Sequence, residues 1–211
     1  MKLPTFTHRG FAVRDLAPLE SYRLLTRCVA PRPIALVSTV SKDGLPNVAP
    51  FSFFMAGGSN PPSVAFSPTA GRSSVKDTLR NIEETGEFTI SVVTYAMRDP
   101  VNRTSSAYPH GVSEWAEAGL TPAPSVLVKP APVAESPLSM ECRLFQIVKH
   151  GDGPSAANYV IGEVVYFHAA EDVLNEKGEV DDTRVDYIAR LGGDWYARAD
   201  ADALFELPRP A

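Results

Sequence analysis

Pro33-Ile34-Ala35-Leu36-Val37-Ser38-Thr39, followed by Ser41-Lys42-Asp43-Gly44 and then Leu45-Pro46-Asn47-Val48-Ala49-Pro50-Phe51-Ser52-Phe53-Phe54-Met55, is the stretch whose reading decides the fold. Two extended apolar runs around an Asp-Gly pair predict a β-hairpin, because glycine supplies the positive φ of a tight turn. The return run is read as one strand over residues 45–55. With a period of two, Asn47, Ala49, Phe51 and Phe53 share one face, and Val48, Pro50, Ser52 and Phe54 share the other. Pro50 has no N–H to donate, so the strand is an edge or is bulged there. Two readings follow. Free backbone groups around Pro50 hydrogen-bond a flat heterocycle, or the run is an aromatic core strand that carries an edge proline.

Outward from the hairpin, residues 63–67 after Pro61-Pro62 form a third extended run. Val75, Leu79 and Ile82 then share a helical face, with Ser74 and Asp77 resembling a capping box and Gly86 as the stop. Residues 87–94 alternate around Phe88, Ile90 and Val92 as a strand. Residues 95–108 are ambiguous around Pro100, and 113–118 form a short capped helix ending at Gly119. Prolines at 122, 124, 130, 132 and 137 make residues 120–137 an extended crossing segment, able to reach a partner subunit as an arm. Two longer strands follow at 138–149 and 159–169. In the tail, Val185, Ile188 and Leu191 stand at helical spacing before Gly192-Gly193. At least six strands with few helices favour a β-barrel or sandwich with helices outside it, and no βαβ alternation is visible.

The chain has 211 residues, 44% hydrophobic and 21% charged, which fits a single domain over residues 1–211. Its 19 prolines outnumber its 14 glycines, so a chain with many fixed bends is expected. A net charge of -5 argues against a nucleic-acid-binding face, which is usually basic. No run approaches the roughly 20 apolar residues of a membrane span, and residues 1–10 lack a signal-peptide core, so the expected address is cytoplasmic. Cys28 and Cys142 are too far apart for a zinc knuckle or CxxC motif and are read as two buried small hydrophobes, ahead of a disulfide or reactive thiol. His8, His110, His150 and His168 have no metal-ligand spacing, and no metal site is expected. His168 lies in an apolar strand, where a satisfied structural histidine is the common case. Neither a GxSxG elbow nor a Walker or GxGxxG loop is present.

Arg72 and Lys76 flank the start of the helix near Ser74. Cations at a helix amino terminus are unfavourable by a few tenths to about 1 kcal/mol. A phosphate docked there, beside the hydroxyls of Ser67, Ser73 and Ser74, would give both cations a reason to be present. The other reading is that Asp77 balances Lys76 and both cations are solvated.

Taken in order, Arg32 to Thr39, Asp43-Gly44, Asn47-Val48-Ala49-Pro50-Phe51-Ser52, Pro61-Pro62, Lys76-Asp77-Thr78 and Asn81-Ile82 resemble the flavin reductase-like, FMN-binding split-barrel family, and more narrowly its flavoredoxin-type branch. Ala134-Glu135-Ser136-Pro137, Ile161-Gly162-Glu163-Val164 and Arg190-Leu191-Gly192-Gly193 with Tyr196 extend the resemblance over about residues 22–198. The resemblance implies a six-stranded antiparallel split β-barrel of Greek-key type with peripheral helices, forming a homodimer with FMN near the interface. It places the flavin ring against Asn47, Val48, Ala49, Pro50, Phe51, Ser52 and Phe53, and the phosphate at Ser38, Thr39, Ser67, Arg72 and Lys76. It implies NADH or NADPH as electron donor, and a flavin-dependent monooxygenase or another redox acceptor as partner. No protein acid or base is required, so no catalytic residue is assigned. Two alternatives share the cleft: a non-enzymatic FMN electron carrier, and a flavin-free member that binds or hydrolyses another small molecule.

Overall fold

The computed structural model describes residues 3–69, 76–106, 108 and 113–210. In chain order its elements are α1 (Pro18–Cys28), β1 (Ala35–Val40), β2 (Pro46–Phe51), β3 (Phe54–Ser59), β4 (Pro62–Phe66), α2 (Asp77–Thr85), β5 (Glu87–Val92), α3 (Arg98–Arg103), α4 (Glu114–Ala118), β6 (Leu138–His150), β7 (Ala157–Ala169), β8 (Tyr187–Arg190) and β9 (Tyr196–Ala199). The hairpin forms as its turn chemistry dictates. Gly44 takes φ 86°, the Ser41 hydroxyl accepts from the N–H groups of Asp43 and Leu45, and β1 pairs β2 from Val40↔Pro46 to Ala35↔Phe51.

The return run is not one strand. It stops at Phe51, bends at Ser52-Phe53 and restarts as β3, which pairs with β4. The antiparallel sheet therefore has seven strands, not six, in the order β2-β1-β5-β6-β7-β4-β3, with β8-β9 as a separate pair. Its two edge strands are joined by two residues, so the sheet must curl until its edges nearly meet, yet no ladder joins them. That is a split barrel without closure. The bend also breaks the alternation. Phe54 packs against the inner core with Phe51, while Phe53 turns toward Tyr22 and Arg32.

Two apolar clusters hold the sheet. The inner one joins Val37, Phe51, Phe66, Phe88 and Val160 to Leu79 and Ile82 of α2. The outer one joins Ile34, Leu36 and Val48 to Val101 of α3 and Trp115 of α4. β1 thus buries both faces, which explains its unbroken apolar run. Gly162 in β7 lies where the inner core leaves no room. A Cβ there would stand 2.3 Å from Phe88 Cζ, and Phe88 is fully buried. Gly162→Ala is expected to destabilise the fold by about 1–2 kcal/mol through overpacking, read as a lower urea midpoint at an unchanged m-value.

The helix after β4 begins at Asp77 with Lys76 as its N-cap and no side-chain cap, and ends at Gly86 with φ 71°. Arg72, Ser73, Ser74 and Val75 lie outside the described residues. The ambiguous segment at 95–108 contains a 3-10 turn and α3, with Pro100 in the first turn, where a missing N–H costs nothing. The short helix at 113–118 is α4, stopped by Gly119 at φ 69°.

Three further expectations need correction. Residues 120–137 are not an outstretched arm. They double back on themselves through a Pro122↔Val133 bridge and lie on the sheet of their own chain, where Ser91 accepts from Val133 N–H and Thr89 donates to the Pro130 carbonyl. The tail at 182–191 holds a 3-10 turn and then β8, not a helix, because residues 187 and 188 pair with residues 93 and 94 and β8 pairs β9. Cys28 is exposed at the end of α1, whereas Cys142 is buried; both are free thiols. Burial, aided by the charge of Glu141, pushes the Cys142 thiol up to about 12, so it stays protonated and inert.

Among the described residues no helix is long and apolar enough to cross a membrane, and no three His, Cys, Asp or Glu side chains gather as a metal site.

Candidate functional site

A cavity of about 680 Å³ opens where the end of β2 meets α1, α3 and the β8-β9 hairpin. That size lies within the range typical of small-molecule sites. Pro50 and Ser52 form one wall. Tyr22, Tyr95, Arg98, Asn102, Arg190 and Tyr196 form much of the rest. The aromatic rings are held by cations: the Arg98 and Arg198 guanidinium carbons lie 4.3 and 4.2 Å from the Tyr95 ring centre, and that of Arg190 lies 4.5 Å from Tyr196. Arg190 also donates to the Tyr196 hydroxyl and to the Gly193 carbonyl.

The prolines of β2 fix which backbone groups are free. Pro46 and Pro50 sit two steps either side of Val48 in the β1-β2 register and have no N–H for the ladder. In an antiparallel pair, residues of one parity bond the partner and those of the other parity face away. The Pro46, Val48 and Pro50 backbone groups therefore point to the unpaired edge, as the first reading of Pro50 required. The Val48 side chain is buried in the outer core, while Ala49 and Pro50 are half-buried.

At the bend, Ser67 N–H donates to the Phe53 carbonyl at 2.8 Å, while the buried Ser67 Oγ has no hydrogen-bond partner among the described residues. Lys76 is exposed, with its Nζ 5.5 Å from the Phe51 ring centre. Ser67, Lys76, Phe51 and Phe53 thus gather around the Ser52 bend. Arg72 lies outside the described residues. Thr39 and Asn47 do a different job. Asn81 Nδ2 donates to Thr39 Oγ1 at 3.0 Å and Asn47 Nδ2 to Thr78 Oγ1 at 3.0 Å, all buried, so these side chains lock α2 onto the hairpin. Ser38 points to the opposite face of β1 from Thr39 by strand alternation; its Oγ is buried and without a partner. Thr39 and Ser38 are therefore not brought to one point.

The buried Ser67 hydroxyl with an unmet hydrogen bond, the Lys76 ammonium over Phe51, and a cavity walled by tyrosines and a free strand edge form a donor set suited to FMN. Of the site residues expected from the sequence, Pro50 and Ser52 line the cavity and Ser67 and Lys76 do not. Ser67 and Lys76 would meet the phosphate, and Pro50 and Ser52 the ring.

Sequence reasoning missed α1, Arg98 and the role of the β8-β9 hairpin. α1 carried a signal: Pro18 occupies its first turn, and Glu20 accepts from Ala17 N–H at 2.9 Å as in a capping box. Arg190 and Tyr196 stood in the motif, but nothing in their spacing placed them on a cavity.

A second polar centre lies behind the sheet. Glu141 of β6 is fully buried and accepts from the N–H groups of Val126, Leu127 and Val128 at 2.6, 2.6 and 3.0 Å; His168 Nε2 lies 2.7 Å from its Oε1. His168 is thus the satisfied structural histidine expected of it, and Glu141 pins the doubled-back loop by three amides, with Glu87 accepting a fourth from Lys129 N–H at 3.0 Å.

The family model for the flavin reductase like domain matches residues 26–187. Among solved structures, the chain is similar to nitrilotriacetate monooxygenase component B from Bacillus cereus, at 33% identity and TM-score 0.89 over 96% of this chain and 100% of that one. It is similar to the 2-nitrobenzoate 2-nitroreductase of Pseudomonas fluorescens, at 30% identity and TM-score 0.84 over 96% of each chain. It is also similar to flavoredoxin of Desulfovibrio vulgaris (Miyazaki F), at 27% identity and TM-score 0.72 over 87% of this chain and 92% of that one. With a matching curled sheet, a flavin-sized cleft at its split, and a family match over most of its length, the chain belongs to the flavin reductase-like family.

Proposed function

We propose that this protein is an FMN-dependent oxidoreductase that takes electrons from NADH or NADPH and passes them to free flavin, to an oxygenase partner or to another acceptor. The observation that carries the reading is the 680 Å³ cleft walled by Pro50 and Ser52 at the end of β2; the partnerless Ser67 Oγ after β4 and the Lys76 ammonium over Phe51 support it. When bound, FMN supplies the electron-accepting and electron-donating chemistry. The chain's own residues bind and orient it. Ser67 Oγ would donate to the phosphate and Lys76 would add charge; the Pro50 and Val48 backbone groups would address the polar edge of the ring, and Tyr95 and Tyr196 would keep water from one side. The donor's planar head would enter the cleft on the side of Arg98 and Asn102. A relative that works as component B of a monooxygenase supports an oxygenase partner, and a nitroreductase relative supports direct reduction of a small acceptor.

The functional unit in this reading is a homodimer. Phe145 of β6, Phe167 of β7 and Met55 of β3 are 72%, 61% and 61% exposed on the sheet, and covering such side chains drives association.

The test is spectroscopic. The purified protein is titrated with FMN, then mixed anaerobically with NADH and NADPH in turn. The expected result is a bound flavin whose visible band bleaches with one nucleotide. A flavin reduced by dithionite but by neither nucleotide supports the carrier reading, which the flavoredoxin relative favours. Failure to take up FMN would sink both.

A further inference from the structure

Arg32 is a charge buried without a counter-ion. It is 4% exposed, and its two terminal nitrogens donate to the carbonyls of Thr26 at 2.6 Å, Val29 at 2.6 Å and Leu191 at 2.8 Å. Nε has no partner, and among the described residues no carboxylate lies within ion-pair distance. Its charged or titratable neighbours are Tyr22 and the like-charged Arg190. Burial lowers its pKa from the ordinary value, yet an arginine stays protonated at neutral pH.

Thr26 and Val29 stand at the carboxyl end of α1, so their carbonyls and the helix's partial negative charge solvate the guanidinium in part, but no full negative charge opposes it. Three backbone carbonyls can be clamped by neutral donors, so clamping does not by itself call for a full charge. The position of that charge does suggest a use. The Arg32 guanidinium carbon lies 5.8 Å from the Phe53 ring centre, and Tyr22 and Arg190 beside it both line the cavity. The cations on that cavity, Arg98 and Arg190, stand 3.5 and 3.6 Å from Asp99 and Asp194 and are partly solvated. Arg32 is not itself part of the cavity lining; it borders Tyr22 and Arg190, which are, and unlike Arg98 and Arg190 it has no carboxylate within ion-pair distance among the described residues.

We propose that Arg32 is a positioning residue for charge: its buried guanidinium, with no carboxylate beside it, makes the cleft prefer the reduced form of FMN to the oxidised form. This rests on the FMN reading above. Taking up two electrons and one proton adds one net negative charge to a flavin ring, so a fixed cation nearby stabilises the product of reduction more than the reactant. The preference sets the ratio of the two affinities and hence the potential of the bound cofactor.

The experiment measures anaerobically the dissociation constants of oxidised FMN and of dithionite-reduced FMN. It compares the wild-type protein with Arg32→Met and Arg32→Lys. The expected result is that Arg32→Met lowers the ratio of reduced-state to oxidised-state affinity about tenfold, equal to about 30 mV for a two-electron couple, while Arg32→Lys keeps most of the ratio. A residue that only clamps carbonyls would weaken both forms equally in Arg32→Met; an unchanged ratio overturns the proposal. If Arg32→Met does not fold, Arg32→Gln supplies the same test, because its amide still donates to the carbonyls that Arg32 holds but carries no charge. Arg32→Gln is expected to lower the ratio about as much as Arg32→Met; an unchanged ratio again overturns the proposal. A wild-type protein that binds neither form removes the flavin reading itself, an outcome distinct from tight binding with an unchanged ratio.

Discussion

Glu141→Ala is expected to lower the folding free energy by about 3–5 kcal/mol, the range for removing one member of a buried charged network. For a chain of this length each kcal/mol shifts the melting midpoint by roughly 2–4 °C, so the loss is on the order of 10 °C. The size follows from what the carboxylate holds. Its two oxygens terminate three backbone N–H groups, at Val126, Leu127 and Val128, and face His168 on the neighbouring strand. Alanine leaves the Val128 amide buried and unmet, and an orphaned buried donor costs about 1–3 kcal/mol. Val126 and Leu127 are about half exposed and recover part of their bonding from water. Hydrogen exchange should speed up first at those three amides, and across residues 120–137 before the sheet.

The same site fixes a pH dependence. Burial alone would raise the Glu141 pKa, but the Val126 and Leu127 amides, His168 and the Val128 amide outweigh it, and the net direction is below the ordinary value of 4.5. A carboxylate depressed on folding stabilises the protein fully above its unfolded pKa and loses that contribution as pH falls through the folded one. The wild type should therefore lose stability below about pH 4.5, and Glu141→Gln, which has no proton to take up, should lack that component. Parallel urea midpoints for the two proteins from pH 7 down to pH 3 would contradict the assignment.

Glu141 also marks the limit of what the chain reveals before it folds. In the run Leu138–His150 it alternates with Met140 and Cys142, beside Ser139 and Arg143, and so reads as one of a row of solvated groups. It is buried because a loop from outside the strand settles on it. The proline spacing of that loop marks rigidity, but not the direction in which it folds. The hairpin of β1 and β2, the apolar face of α2 and the glycine stops at 86 and 119 were legible, because each rests on contacts within a few residues. The bend at Ser52 was not. Both halves of the run have strand composition, and only the need to carry the chain from one sheet edge to the other breaks it. For β8, the spacing of Val185, Ile188 and Leu191 fits a helix, but pairing with the backbone after β5 overrides it. The site shows the same division. Of the site residues expected from the local sequence, Pro50 and Ser52 line the cleft, whereas Tyr22, Arg98 and the hairpin at 187–199 reach it from distant parts of the chain.

The functional reading turns on Lys76, and Lys76→Ala is expected to weaken FMN binding by about 30- to 100-fold while changing riboflavin binding less than about threefold. Lys76 stands at the N-cap of α2, where the helix end carries partial positive charge and an added cation is unfavourable without an anion. Asp77 cannot neutralise it fully, since that carboxylate is taken by Arg80 one turn on. A phosphate between Lys76 and the unmet Ser67 hydroxyl would answer both features, and a charge-assisted contact of that kind contributes about 2–3 kcal/mol. The energy converts to the stated factor at 1.4 kcal/mol per tenfold. Riboflavin has the same ring but no phosphate, so it reports on the wall of Pro50 and Ser52 alone. Because the Lys76 side chain is exposed, its removal leaves the fold intact, and unchanged urea midpoints would establish that control. Fluorescence titration of both flavins with both proteins measures the two ratios. Equal losses for FMN and riboflavin would mean that Lys76 supports the ring wall through its contact with Phe51 and that the phosphate lies elsewhere.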